Sequence, residues 1–160
     1  MIERKAYAAL MRLSEQFPVV AITGPRQSGK TALAKYAFPD KQYVSFDDKN
    51  LRELAKSSPG DFLKAFPDGA IIDEAQKVPE IFDAIKLVVD KGDYTPGKYI
   101  LTGSSQFRLK QNITDSLAGR VGLIKLLPFS IEELKEAGIL PDEPYDMFFK
   151  GFYPPLHDGN

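Results

Sequence analysis

The sequence predicts an α/β domain built around a mostly parallel sheet. Two observations carry this. Five short apolar runs, rich in β-branched residues, alternate with segments of helical period. The first run, Val19-Val20-Ala21-Ile22-Thr23, is apolar on both parities and bounded by Pro18 and Gly24, as expected of a strand buried on both faces.

The elements follow in order. Residues 2–17 read as a helix, because Ala6, Leu10, Leu13 and Phe17 recur at helical spacing and Pro18 stops the pattern. A second helix should start near Gly29 and end before Pro39. Residues 43–46 form the second strand and end on Asp47-Asp48, which are expected to cap a helix over 51–56. Ala70-Ile71-Ile72 is the third strand. Residues 79–90 form a helix with Ile81, Phe82, Ile85, Val88 and Val89 on one face, and Pro79 suits its first turn. The fourth strand covers 98–102, a helix 113–117 and the fifth strand 121–127. Ser130 followed by Glu133 is a capping box for a helix over 130–137.

The bulk numbers fit one such domain. There are 160 residues, 43% hydrophobic and 27% charged, with a formal net charge of −1. That charge does not mark a nucleic-acid binder, although a local basic patch is compatible with it. Without cysteine, disulfides, cysteine–zinc sites and thiol catalysis are excluded, and a reducing, cytoplasmic location fits. The first residues lack the apolar run of a secretory leader, and no stretch of about 18 apolar residues could cross a membrane. Residues 1–140 read as the core. Residues 141–160 form an irregular tail with four prolines and the aromatics Tyr145, Phe148, Phe149, Phe152 and Tyr153. The tail reads as the start of a further lid or domain, expected to fold back on the core or to self-associate.

The chemistry is concentrated at strand ends. Gly24-Pro25-Arg26-Gln27-Ser28-Gly29-Lys30-Thr31 matches the spacing G-x-x-x-x-G-K-[ST] in full. The glycines let backbone N–H groups point at phosphate oxygens, and the following helix adds its N-terminal dipole. Lys30 supplies a point charge for the β- and γ-phosphates, and the Thr31 hydroxyl suits Mg²⁺. Arg26 and Gln27 are placed to touch phosphate or a partner. The rival reading, a glycine turn with a solvated lysine, does not require a buried strand before and a helix after.

Asp73 and Glu74 end the third strand. In such a site the first acid holds the metal and the second orients the attacking water. Ser104 and Ser105 follow the fourth strand; a hydroxyl there can sense the γ-phosphate, place the water, or cap the next helix. Arg120, at a helix end just before the fifth strand, can reach the triphosphate of a neighbouring subunit or interact with its own helix dipole. His157 has no second ligand nearby in sequence, which argues against a metal or triad role.

GPRQSGKT, IIDEAQ, YILTGSSQF, SLAGR and LLPFS together resemble, in order and spacing, the prokaryotic AAA+-type ATPase domain of the AAA_14 class. The resemblance runs from about residue 2 to about residue 155. It implies a three-layer P-loop core of the additional-strand type with order 5-1-4-3-2, and ATP with Mg²⁺ as ligands. It implies that residues 24–31 are the Walker A loop, that Asp73 and Glu74 are Walker B, and that Ser104 or Ser105 is a sensor-like position. Arg120 takes the place where an arginine finger often stands. It also implies partners: a homo-oligomer or a fused C-terminal domain of restriction-nuclease-like fold. One departure is that the helical lid usual after this core is not in the chain.

Hydrolysis of ATP is the expected function. A nucleotide-gated interaction module is the alternative. A small-molecule kinase would need an arginine-rich mobile lid, and a DEAD-box-like helicase would need two such domains.

Overall fold

A computed structural model describes residues 4–92, 94–104, 106–140 and 151–154. Its sheet has five parallel strands: β1 (Val19–Thr23), β2 (Gln42–Ser45), β3 (Ala70–Asp73), β4 (Tyr99–Gly103) and β5 (Val121–Lys125). Their order across the sheet is β2-β3-β4-β1-β5, which is the expected order read from the other edge. Five strand positions follow from the apolar runs to within a residue or two.

β1 is central, paired with β4 on one side and β5 on the other, so all five of its residues are buried. Its alternate residues serve opposite layers. Val20 and Ile22 pack with Ile71, Ile100 and Leu126 against Leu10 of α1 (Ala6–Gln16) and Leu33 and Ala34 of α2 (Lys30–Ala37). Val19 and Ala21 pack with Ile72 and Leu101 on the other face. There they meet α3 (Lys49–Ser57), α4 (Pro59–Lys64), α5 (Glu80–Asp90) and α6 (Gln106–Ser116) through Ala55, Phe62, Ile81, Phe82, Ile85 and Ile113. Each fully buried Ile or Phe side chain contributes about 1.5–3 kcal/mol. The result is a three-layer α/β/α sandwich.

Local signals hold at several helix ends. The Asp48 carboxylate accepts from Asn50 N at 2.8 Å and Leu51 N at 3.2 Å, capping α3 as expected. Asp47 does not cap; its carboxylate pairs with Lys77. Ser130 and Glu133 complete both bonds of the capping box at α7 (Ile131–Glu136). Pro79 stands at the N-cap of α5. Two helices differ from expectation. α4 has no counterpart in the sequence-based expectation, because its six residues offer one apolar pair, Phe62 and Leu63, and no period. α6 starts at Gln106 rather than 113, since polar residues in its first turns hide the pattern. No helix among the described residues is long and apolar enough to cross a membrane.

Candidate functional site

The site lies at the carboxyl ends of β1, β3 and β4. The chain leaves β1 at Gly24 with φ +154°, and a Cβ there would stand 2.0 Å from Leu126 O, so only glycine fits beside β5. The loop returns to helix through Gly29, an N-cap at φ +89°. Arg26 and Gln27 are exposed at its crest, whereas Ser28 and Lys30 are buried. Lys30 Nζ donates to Pro25 O at 2.6 Å, which lays the ammonium across the loop. Burial pushes the Lys30 pKa down, while the charges of Glu74 and then Asp73 oppose that shift.

Asp73 is a buried carboxylate and is satisfied accordingly. Thr31 Oγ1 lies 3.2 Å from both of its oxygens. Tyr43 of β2 donates to Oδ2 at 2.9 Å, and Thr102 of β4 donates to Oδ1. Burial first, and then the Asp73 charge and hydrogen bond, push the Tyr43 hydroxyl up to about 12, so it stays a donor. Lys35 Nζ of α2 sits 3.5 Å from the Tyr43 ring centroid. Glu74 adopts a left-handed backbone, φ 53° and ψ 40°, uncommon for a residue with a side chain. Ser104 Oγ donates to Glu74 Oε2 at 3.1 Å, and Gln76 Nε2 donates to the same oxygen.

Asp73, Glu74 and Ser104 line a cleft of about 420 Å³ together with loop residues, Thr31 and Pro154. A larger cleft of about 820 Å³ opens between α4 and α5, near Tyr99 at the amino end of β4 and away from these groups. The chemistry lies in the smaller one. There Thr31 and Asp73 offer a hydroxyl and a carboxylate, hard oxygens few enough to leave places for water and phosphate, a set whose chemistry fits Mg²⁺.

The fold therefore gathers Arg26, Gln27, Gly29, Lys30 and Thr31 of the loop with Asp73, Glu74 and Ser104 into one cleft. It does not bring Arg120 there. Arg120 O accepts from Val19 N at 3.3 Å, at the amino end of β1, while the loop leaves the carboxyl end about 13 Å away. Its guanidinium pairs with Asp90 at 2.6 Å and donates to Ala118 O at 2.9 Å. Arg120 is thus not among the residues that line the cleft of its own chain. The contact with Ala118 O, beyond the end of α6, matches the reading of a cation at a helix end. Ser105, His157 and the aromatics Tyr145, Phe148 and Phe149 lie outside the described residues.

Four residues beyond the expected set belong to the site: Arg4, Tyr43, Gln76 and Thr102. Arg4 is 6% exposed and grips the loop from below. Its Nη1 donates to Ser28 O at 2.9 Å, Nη2 to Leu127 O at 2.6 Å and Nε to Glu133 at 3.1 Å, with the guanidinium 4.6 Å from the Phe129 ring centroid. Nothing local in the sequence marks it, because its partners are 24 to 129 residues away. Thr102 lies within the hydroxyl-rich LTGSS run.

A phosphate-binding loop on the central strand, with an acid pair on the strand beyond its neighbour, defines a P-loop nucleotide-binding domain of the additional-strand type. The chain belongs to the AAA_14 family, described as an AAA domain, whose model matches residues 16–135. Uncharacterized proteins of Mycobacterium bovis and Mycobacterium tuberculosis are each 33% identical to it over 136 residues, 84% of this chain and 31% of theirs. The chain thus spans about a third of the length of the curated relatives it matches. Among solved structures it is similar in fold to a Walker-type ATPase of Pyrococcus abyssi, with a TM-score of 0.58, 19% identity and coverage of 91% of this chain and 61% of that one. AMPPCP-bound DnaA from Aquifex aeolicus matches with a TM-score of 0.57, 16% identity and coverage of 93% and 55%.

Proposed function

We propose that the chain binds ATP with Mg²⁺ and hydrolyses it. The observation that carries this reading is the convergence of Thr31 and Thr102 on the Asp73 carboxylate, with Glu74 beside it in the same cleft. Loop N–H groups and Lys30 hold the β- and γ-phosphates. Thr31 and Asp73 hold the metal, which when bound neutralises charge on the phosphate oxygens. Glu74 orients a water for in-line attack on the γ-phosphorus and accepts its proton: the new P–O bond forms as the bond to the β-phosphate oxygen breaks, and ADP and phosphate leave. Ser104 acts here by fixing Glu74.

Arg120 serves, in this reading, the nucleotide of a neighbouring copy in a homo-oligomer. A fused C-terminal nuclease-like domain is the other expected partner, and the greater length of the relatives supports further sequence beyond this core. The lack of cysteine supports a cytoplasmic location.

The test is a pair of variants. Lys30→Ala should weaken ATP binding by about tenfold or more in calorimetry. Glu74→Gln should keep Mg·ATP affinity and lose phosphate release. No turnover by the wild type under any condition tried would replace hydrolysis with the nucleotide-gated interaction module.

A further inference from the structure

Gln76 lies behind Glu74, outside the wall of the nucleotide cleft, and is 8% exposed. Its Nε2 donates to Glu74 Oε2. A carboxylate only accepts, so the nitrogen end of the amide must face Glu74. The other end, Oε1, is buried with no partner. An apolar side chain of the same shape would fill this space without an orphaned carbonyl. What the amide adds is the N–H directed at Glu74.

The end of β4 is shaped around this amide. A Cβ on Gly103 would stand 2.3 Å from Gln76 Oε1, 3.2 Å from its Cδ and 3.0 Å from Leu109 Cδ2. Gly103 therefore clears the space in which the amide lies. The next residue, Ser104, supplies the second donor to the same oxygen, Oε2, at 3.1 Å. Two donors on one oxygen fix the rotation of the carboxylate. Among the described residues none donates to Oε1, which is left to accept from a water in the cleft. The left-handed backbone at Glu74 turns the chain into the 3₁₀ turn Ala75–Lys77, which is how a side chain two residues on comes back to meet it.

We propose that Gln76 is a positioning residue that locks the Glu74 carboxylate so that Oε1 presents to the attacking water, with Gly103 providing the room. The proposal rests on the reading of Glu74 as the water-orienting carboxylate. It assigns a reason to the glutamine of the DEAQ run and to the glycine of LTGSS, which the phosphate and metal contacts leave unexplained.

The experiment compares Gln76→Met, Gly103→Ala, Glu74→Gln and the double variant Gln76→Met/Glu74→Gln in the whole chain. Gln76→Met and Gly103→Ala should each lower kcat about tenfold or more, with ATP affinity within about twofold of the wild type. The double variant should be no slower than Glu74→Gln alone, because Gln76 acts only through Glu74. Wild-type kcat in Gln76→Met, or a further loss in the double variant, overturns the proposal. Wild-type turnover in Glu74→Gln instead overturns the role of Glu74. A second arm needs no turnover: in ¹⁵N-labelled protein without nucleotide, the Gln76 side-chain amide resonances should move on Glu74→Ala. Unmoved resonances overturn the contact itself.

Discussion

The Thr31 hydroxyl stands 3.2 Å from each carboxylate oxygen of Asp73, although the strands leading to them, β1 and β3, are not neighbours. β4 lies between them and sends Thr102 to the same carboxylate. The position proposed for the metal is therefore assembled from three elements. Thr31→Val should keep the fold and lower the gain in ATP affinity that Mg²⁺ provides by about 10–100-fold, the usual scale for a disturbed metal site. Titration calorimetry with and without Mg²⁺ checks this, and an unchanged gain would remove Thr31 from the metal site.

Arg4 links the loop to the far end of the core. It and Glu133 are both buried, so cutting the pair leaves the carboxylate without its countercharge. Arg4→Met should lower unfolding stability by about 3 kcal/mol in urea melts. It should also weaken nucleotide binding, since the Ser28 carbonyl loses its donor. A variant as stable as the wild type would show that the arginine is replaceable packing.

Glu133 gives this network a pH dependence. Burial alone would raise its pKa, but the N–H groups of Ser130 and Lys5 and the charge of Arg4 outweigh it and hold the carboxyl below its ordinary value of 4.5. A folded-state pKa below the unfolded one means that the stabilisation is complete above about pH 4.5 and is lost as pH falls through the folded value. The stability gap between the wild type and Glu133→Gln should therefore be widest near neutrality and close on acidification. A gap that is constant from pH 7 to acid, measured by urea unfolding, would contradict it.

Arg120 faces away from its own nucleotide cleft. If it completes the site of a second copy, specific ATPase activity should rise with protein concentration. Arg120→Ala should then lose about 10³–10⁵ in rate, the scale of established arginine fingers. Mixing it with a Lys30→Ala chain should restore activity, because each copy supplies what the other lacks. A rate strictly proportional to concentration and untouched by Arg120→Ala would leave Arg120 as the partner of Asp90 and Ala118.

The described part of the tail, residues 151–154, lies against the core. Phe129 N donates to Phe152 O at 2.8 Å, and a Cβ on Gly29 would meet Pro154 Cγ at 3.5 Å. The amide of Phe129 should accordingly exchange slowly with solvent, and nucleotide should alter its protection, since Pro154 walls the cleft. Fast exchange at Phe129 in mass-resolved hydrogen exchange would show that this contact does not persist.

The sequence by itself determined the G-x-x-x-x-G-K-[ST] loop, the acid pair and the five strands. Each of these is a local pattern: glycine spacing, an apolar run, a turn residue. Residues 24–31 and Asp73-Glu74 stand out as site candidates because their chemistry is written in consecutive letters next to a buried strand. The short helix Pro59–Lys64 and the early start of α6 were not legible, because neither shows a period long enough to be counted. Only the tertiary structure decided that Tyr43 and Thr102 share Asp73, that Arg4 grips the loop, and that Gln76 holds Glu74. Parallel strands place residues side by side by sheet order rather than by sequence distance, so Thr102 meets Asp73 through the pairing of Ile72 with Leu101. The same order put Arg120 at the opposite end of β1 from the loop, because a residue that begins a parallel strand lies one strand length from the residues that end it.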